Sequence, residues 1–159
     1  MFEEDGGIIV ADFRESVIIH KPIKEVFQYI ASMENVHELM PNVVKMEKTT
    51  PGELRKGTKF IETRLVRGKE IKAEVELLEY EENKLFTTKS NSSGLITEYH
   101  YKFSEIEEGT QAEFEAFIKT TGLRMKLTKR FIVNMMQRED GYQLKYLKEM
   151  FEDEENKTE

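Results

Sequence analysis

The sequence predicts an α+β protein of element order β-α-α-β6-α, a curved seven-stranded antiparallel sheet wrapped around a long C-terminal helix. Three observations predict it. Apolar and polar residues alternate in successive runs between Val43 and Thr121, the period of strands with one buried face. The breaks between the runs are short and rich in turn residues, so they suit hairpins and leave no room for crossover helices. A single long amphipathic pattern then closes the chain over 123–151, and a sheet with one apolar face must bury it against such an element.

The first strand is predicted over 8–20, where Phe13, Val17 and Ile19 share one parity and Arg14 and His20 the other. Pro22 ends it and suits the first position of a helix, where the missing N–H is not needed. Ile23, Val26, Phe27 and Ile30 then recur at helical spacing, with Lys24, Glu25 and Gln28 opposite. A second short helix over 34–39 is stopped by Pro41, which disfavours helical backbone at Met40. Six strands follow, over 43–48, 58–66, 70–80, 84–90, 95–105 and 110–120. Their breaks carry Pro51-Gly52, Arg67-Gly68-Lys69, Glu82-Asn83, Asn91 to Gly94 and Glu108-Gly109. The closing helix, about 29 residues at 1.5 Å each, spans roughly 43 Å. Leu127, Phe131, Met135, Tyr142, Tyr146 and Met150 lie along or near one stripe of it. Asp140-Gly141 interrupts that stripe, which predicts either a bend or close backbone contact there, or a plain solvent-facing glycine.

A straight rod laid across a curved sheet touches it along only part of its length. A gap is therefore expected between the closing helix, the sheet and the two short helices, and such a gap suits a mostly apolar ligand. Strand alternation says what lines it. Ile71, Ala73, Val75 and Leu77 alternate with charged neighbours, as do Tyr99, Tyr101 and Phe103, and Ala112, Phe114, Ala116 and Ile118. Small residues among the aromatics leave room that a filled core would close, although plain core is the ordinary reading of each position alone. The ligand-facing residues expected from the sheet and short helices are Phe27, Met40, Ile71, Ala73, Val75, Tyr99, Tyr101, Phe114 and Ala116. The closing helix is expected to add Phe131, Met135 and Tyr142.

The third strand is ambiguous. Ile61, Thr63 and Leu65 form one face, and Phe60, Glu62, Arg64 and Val66 the other. A three-residue loop at Arg67-Gly68-Lys69 puts Glu62 and Arg64 outside; a two-residue loop puts them inside. Apolarity favours outside, since burying both would cost several kcal/mol of desolvation per charge. If they face inward, Arg64 is the best candidate to hold an anionic ligand head, with Glu62 beside it. His37, on the second short helix, is the third candidate polar anchor.

Composition narrows the function classes. The 159 residues hold 24 Lys and Arg against 31 Asp and Glu, a formal charge of −7, and a generally acidic surface disfavours a nonspecific grip on nucleic acid. Cysteine is absent, which excludes disulfides, thiolate metal sites and a Cys nucleophile. Residues 1–7 read as a flexible, acidic N-terminus, 8–152 as one ligand-binding domain, and 153–159 as a disordered acidic tail. The acidic start does not read as a signal peptide and no apolar run reaches membrane-spanning length, so a cytoplasmic protein without integral membrane association is expected.

The run from Ser16 to Phe27, a strand followed by Pro22 and then Glu25-Val26-Phe27, resembles the opening of the START-like (SRPBCC) helix-grip proteins. Met40-Pro41-Asn42-Val43 matches the place where members often carry Trp-x-Pro-x-Val, with Met40 standing for the tryptophan. Gly57-Thr58-Lys59-Phe60, Gly109-Thr110 and Leu147-Lys148-Glu149 match too, and the resemblance runs in order over 9–152. It implies a helix-grip fold and a hydrophobic cavity for a lipid-like, quinone-like or polyketide-like ligand. The superfamily also holds aromatase/cyclases, chaperone activators and ribosome-associated proteins, so fold alone does not set function.

Positioned chemistry is sparse. His20, His37 and His100 are too scattered for a local metal motif, no phosphate-cradling glycine loop or GxSxG elbow occurs, and no metal, cofactor or catalytic residue is assigned. His100 shares the outward parity of Glu98 and Lys102 and should be solvated. The eight methionines fit either a cavity that accepts several shapes or ordinary core filling. The first expectation is binding or transport of a small hydrophobic molecule. Its alternatives are a cyclase, aromatase or hydrolase using Tyr99, Tyr101, or Glu62 with Arg64, and a protein-interaction or chaperone-activator module with a protein partner.

Overall fold

Pro22 separates strand from helix, and the helices that follow decide where the sheet begins again. In the computed structural model, which describes residues 9–158, β1 (Phe13–Ile19) leads into α1 (Ile23–Ala31) and the single turn α2 (Val36–Leu39). These carry the chain to the far edge of the sheet. There β2 (Val43–Lys48), β3 (Lys59–Val66), β4 (Lys69–Glu81), β5 (Leu85–Ser92), β6 (Leu95–Ile106) and β7 (Gly109–Thr120) run as a meander. The sheet order is β1-β7-β6-β5-β4-β3-β2, antiparallel throughout, with β1 and β2 at the edges.

The strand expected from residue 8 begins instead at Phe13. The Asp12 carboxylate accepts the Ile118 backbone N–H at 2.6 Å, taking the place of a ladder carbonyl. In β4 a bulge between Leu77 and Glu79 shifts the register. Odd positions face inward before it, and Tyr80 does so after it, its ring 5.7 Å from Phe27. A bulge of this kind bends the strand and deepens the sheet's curvature.

One end of the concave face is closely packed, its void beside Phe86 only about 10 Å3. Val26, Phe27, Ile30 and Ala31 of α1 are buried, and Phe27 meets Phe103 at 5.4 Å and Phe86 at 5.8 Å. The long closing helix is present as two segments, α3 (Leu123–Asp140) and α4 (Gln143–Thr158), with the bend that is one expected reading of Asp140-Gly141. Leu144 and Leu147 of α4 are wholly buried at the filled end. The Glu15 carboxylate of β1 accepts the Leu144 and Lys145 backbone N–H groups, both at 2.9 Å. Those donors have no partner within the helix, so Glu15 caps α4 and fastens it to the sheet edge.

Residues 153–158, expected as a disordered tail, continue α4 to Thr158. Lys148 reaches Glu152 one turn on, and Lys21 reaches Glu155 at 3.1 Å, so the acidic end finds cations in α4 and beside β1. The flexibility expected of 1–7 lies outside the described residues. Among the described residues, no helix is long and apolar enough to cross a membrane.

The break between α3 and α4 falls where only glycine fits. A Cβ on Gly141 would lie 2.3 Å from the Gln137 carbonyl oxygen, too close for any side chain. Gly141→Ala should therefore destabilise the protein by about 1–3 kcal/mol, against the ~1 kcal/mol gain that helix propensity alone predicts. Urea unfolding of the two proteins checks the sign.

Candidate functional site: a cavity beneath the C-terminal helix

The other end of the concave face is hollow. Met136 and Asp140 are the only buried residues of α3, and beneath that helix lies a cavity of about 240 Å3. Its floor follows from register, because directly opposed residues of antiparallel strands share a face. Ala73 opposes Glu62 and Ile71 opposes Arg64. Tyr99 opposes Thr88, and Ser90 lies between Val75 and Thr97. Met135, Met136 and Glu139 of α3 form the roof, and Met33, Met40 and Met46 close the side nearest α2 and β2.

Glu62 and Arg64 face this cavity, which corrects the outward orientation favoured from apolarity. The β3–β4 connection is the two-residue turn Arg67-Gly68, with Val66 opposite Lys69. Both turn residues have positive φ, 51° and 77°, the type I′ geometry whose twist matches a hairpin and which glycine enters without strain. One residue fewer in the loop turns the whole strand over.

The charges are tolerated because they are bound to one another. Arg64 Nη1 and Nη2 donate to Asp140 Oδ1 and Oδ2 at 2.9 and 3.0 Å. Arg64 Nε donates to Glu62 Oε1 at 3.1 Å, and Nη1 reaches Glu139 Oε2 at 3.4 Å. Tyr99 donates its hydroxyl to Asp140 Oδ2 at 2.5 Å. Tyr101 donates to Gln143 Oε1 at 2.7 Å, and Gln143 Nε2 donates to the Asp140 carbonyl at 3.0 Å. Burial alone would lower the guanidinium's pKa, but Asp140 and Glu62 outweigh it and hold Arg64 above its ordinary range. Burial, and then the Asp140 charge, push the Tyr99 and Tyr101 phenols up. Both therefore remain neutral donors at physiological pH.

Of the residues expected to face a ligand, Met40, Ile71, Ala73, Val75, Tyr99, Tyr101 and Met135 line the cavity, with Glu62 and Arg64. The others do not. Phe27 belongs to the filled end. Phe114 stands behind Tyr99 and Tyr101, about 5 Å from each ring, and Ala116 lies beneath Tyr99 and Phe13 with no exposed surface. Phe131 is 61% exposed and Tyr142 45%. The i, i+4 row through Leu123, Leu127, Phe131 and Met135 drifts about 40° per step, so back from Met135 it turns out of the groove, and Tyr142 lies beyond the break at Gly141. His37 is exposed, beside Glu38 rather than the cavity. His100 is half-buried, not fully solvated: it packs 4.7 Å from the Phe117 ring on the outer face, its Nε2 3.1 Å from the buried Glu98.

Sequence reasoning missed Met33, Met46, Met136, Val66, Leu95, Glu139 and the hydroxyl residues Thr88, Ser90, Ser92 and Thr97. Thr97 shares the parity of Tyr99 and was within reach. The β5 residues are not, because beyond Phe86 their inward face is polar and gives no apolar alternation to read.

Asp140 has no exposed surface and depends on Arg64 for charge compensation. Arg64→Met should cost about 3–5 kcal/mol by leaving that carboxylate unpaired. Adding Asp140→Asn should recover most of the loss, as a double-mutant cycle of unfolding free energies will read.

Solved structures that share this fold include the di-domain ARO/CYC StfQ from the steffimycin biosynthetic pathway, at TM-score 0.73 and 11% identity, covering 91% of this chain and 51% of that one. TTHA0849 from Thermus thermophilus matches at TM-score 0.70 and 18% identity, covering 87% of this chain and 95% of that one. Ara h 8.0201 matches at TM-score 0.57 and 17% identity, covering 84% and 97%. At these identities the likeness is one of fold, and this chain spans about half the length of StfQ. None of the curated proteins matches the sequence. The family model described as polyketide cyclase/dehydrase and lipid transport matches residues 10–152, from before β1 into α4, and the chain belongs to that family within the START-like superfamily.

Proposed function

We propose that the protein binds a small, mostly apolar molecule in the cavity beneath α3 and holds or carries it unchanged. The observation that carries this reading is the cavity itself, hollow where the rest of the concave face is filled. Its volume exceeds the ~150 Å3 of an engineered apolar cavity that accepts benzene, which suits a two-ring ligand or a short acyl chain. Five of the eight methionines line it, Met33, Met40, Met46, Met135 and Met136. Unbranched and polarizable, they repack around more than one shape. A two-ring ligand burying roughly 250 Å2 of apolar surface gains about 6 kcal/mol. Association costs reduce that figure, so affinities in the micromolar to millimolar range are expected for generic ligands.

A cyclase or aromatase-type reaction is the second reading, supported by the Glu62 and Glu139 carboxylates on the cavity wall and by membership of a family that includes polyketide cyclases. Against it, the Tyr99 and Tyr101 hydroxyls are bonded into the wall. Neither phenol is placed to give or take a substrate proton without breaking those bonds.

Ala73→Phe puts a ring into the floor and should abolish ligand stabilisation while leaving the protein folded, at a cost of about 1–3 kcal/mol. Thermal-shift and native mass spectrometry with fatty alcohols, quinones and aromatic polyketides check this. A panel without saturable stabilisation of the parent protein would sink the binding reading, and conversion of a polyketide to a cyclised product would establish the enzyme.

A further inference from the structure

We infer that the cavity selects neutral or cationic ligands whose polar end donates a hydrogen bond, and rejects carboxylates and other anions. This rests on the binding reading above and names the chemical class of its ligand. The charged residues on the cavity wall are Glu62, Arg64 and Glu139, with Asp140 directly behind. Arg64 is the single cation among them, and its donors are already placed. A guanidinium has five N–H groups. Two go to Asp140, one to Glu62, one to Glu139, and the last points at Met40 Sδ at 3.9 Å. Carboxylates hold four of the five, so an incoming anion is offered only the donor that faces a thioether.

The acceptor side is in surplus. Three carboxylates share one guanidinium, a formal charge of −2 for the cluster, and Glu62 and Glu139 each meet Arg64 through a single oxygen. The second oxygen of each is available to accept. The tyrosine hydroxyls on the wall donate away from the cavity, to Asp140 and Gln143. Only the hydroxyls of Thr88, Ser90, Ser92 and Thr97 remain as donors toward a ligand, and each can also accept. A carboxylate entering this space meets negative charge in an apolar surround without a free cation. An alcohol, phenol or ammonium meets acceptors.

A series with one apolar body and three heads tests this: 2-naphthol, 2-naphthylmethylamine and 2-naphthoate, titrated into the full chain at neutral pH by calorimetry. The phenol and the amine should each bind at least about tenfold more tightly than the acid. Glu62→Gln with Glu139→Gln, or Glu139→Gln alone should the pair fail to fold, should narrow that gap by weakening the amine and strengthening the acid. Naphthoate binding as tightly as the amine would overturn the inference and leave the binding reading standing. Amine binding that survives in Ala73→Phe would also overturn it, because the preference would then belong to the acidic surface. Failure of all three heads, together with the corresponding C12 alcohol, amine and acid, would overturn the binding reading itself.

Discussion

The Arg64–Asp140 ion pair sits where three parts of the molecule meet. Arg64 comes from β3, Asp140 from the last turn of α3, and Tyr99 from β6 shares the same carboxylate. A buried ion pair returns little net stability once desolvation is subtracted. Its use here is directional. The guanidinium fork meets the carboxylate through two bonds of about 3 Å, so the end of α3 is located over the sheet to within a hydrogen-bond length. Apolar packing would not locate it as sharply.

That mode of attachment accounts for the hollow. The first half of α3 stands off the sheet, with Leu123, Leu127 and Phe131 exposed, while Ile132, Val133, Met136 and Asp140 of the second half pack down and only the last two are fully buried. A helix held down by its polar end need not press its apolar side into the groove. Space left unfilled forgoes packing contacts, which a bound apolar molecule would restore. The contrast with the α1–α4 end, where Phe27, Phe86, Phe103, Leu144 and Leu147 are buried and the void beside Phe86 measures only about 10 Å3, argues that the hollow is a maintained feature and not a failure of the sequence to fill its core.

The same two physical signals explain what can be read beforehand. Clear alternation in β4, β6 and β7 marks the sheet and its inward faces, and Pro22 and Pro41 mark the helix boundaries. Where alternation is mixed, reading fails. β3 has aliphatic residues on both faces, so its orientation hangs on the length of one turn, and Arg67-Gly68 lacks the Asn or Asp that usually advertises a type I′ turn. β5 hides its inward side behind threonine and serine. An inward Phe131 and Tyr142 follow only from a helical row extended too far, across a drift and across a break at Gly141. Asp140 stands out in the sequence as no more than an interruption of the apolar stripe, yet its carboxylate is the partner that makes an inward Arg64 tolerable.

Shape tolerance and charge discrimination thus come from separate elements of one cavity. The methionines of α3, β2 and the α1–α2 region supply adaptable apolar surface, which limits how finely the site can judge a ligand's outline. The polar cluster is fixed by mutual hydrogen bonds and backed by Gln143 at the start of α4, whose first turn is itself capped by Glu15 of β1. Its geometry cannot relax to suit a guest without unpairing buried groups, at roughly 1–3 kcal/mol for each. A site built this way is permissive about the body of a ligand and strict about its head, because the soft wall repacks at little cost and the bonded wall does not.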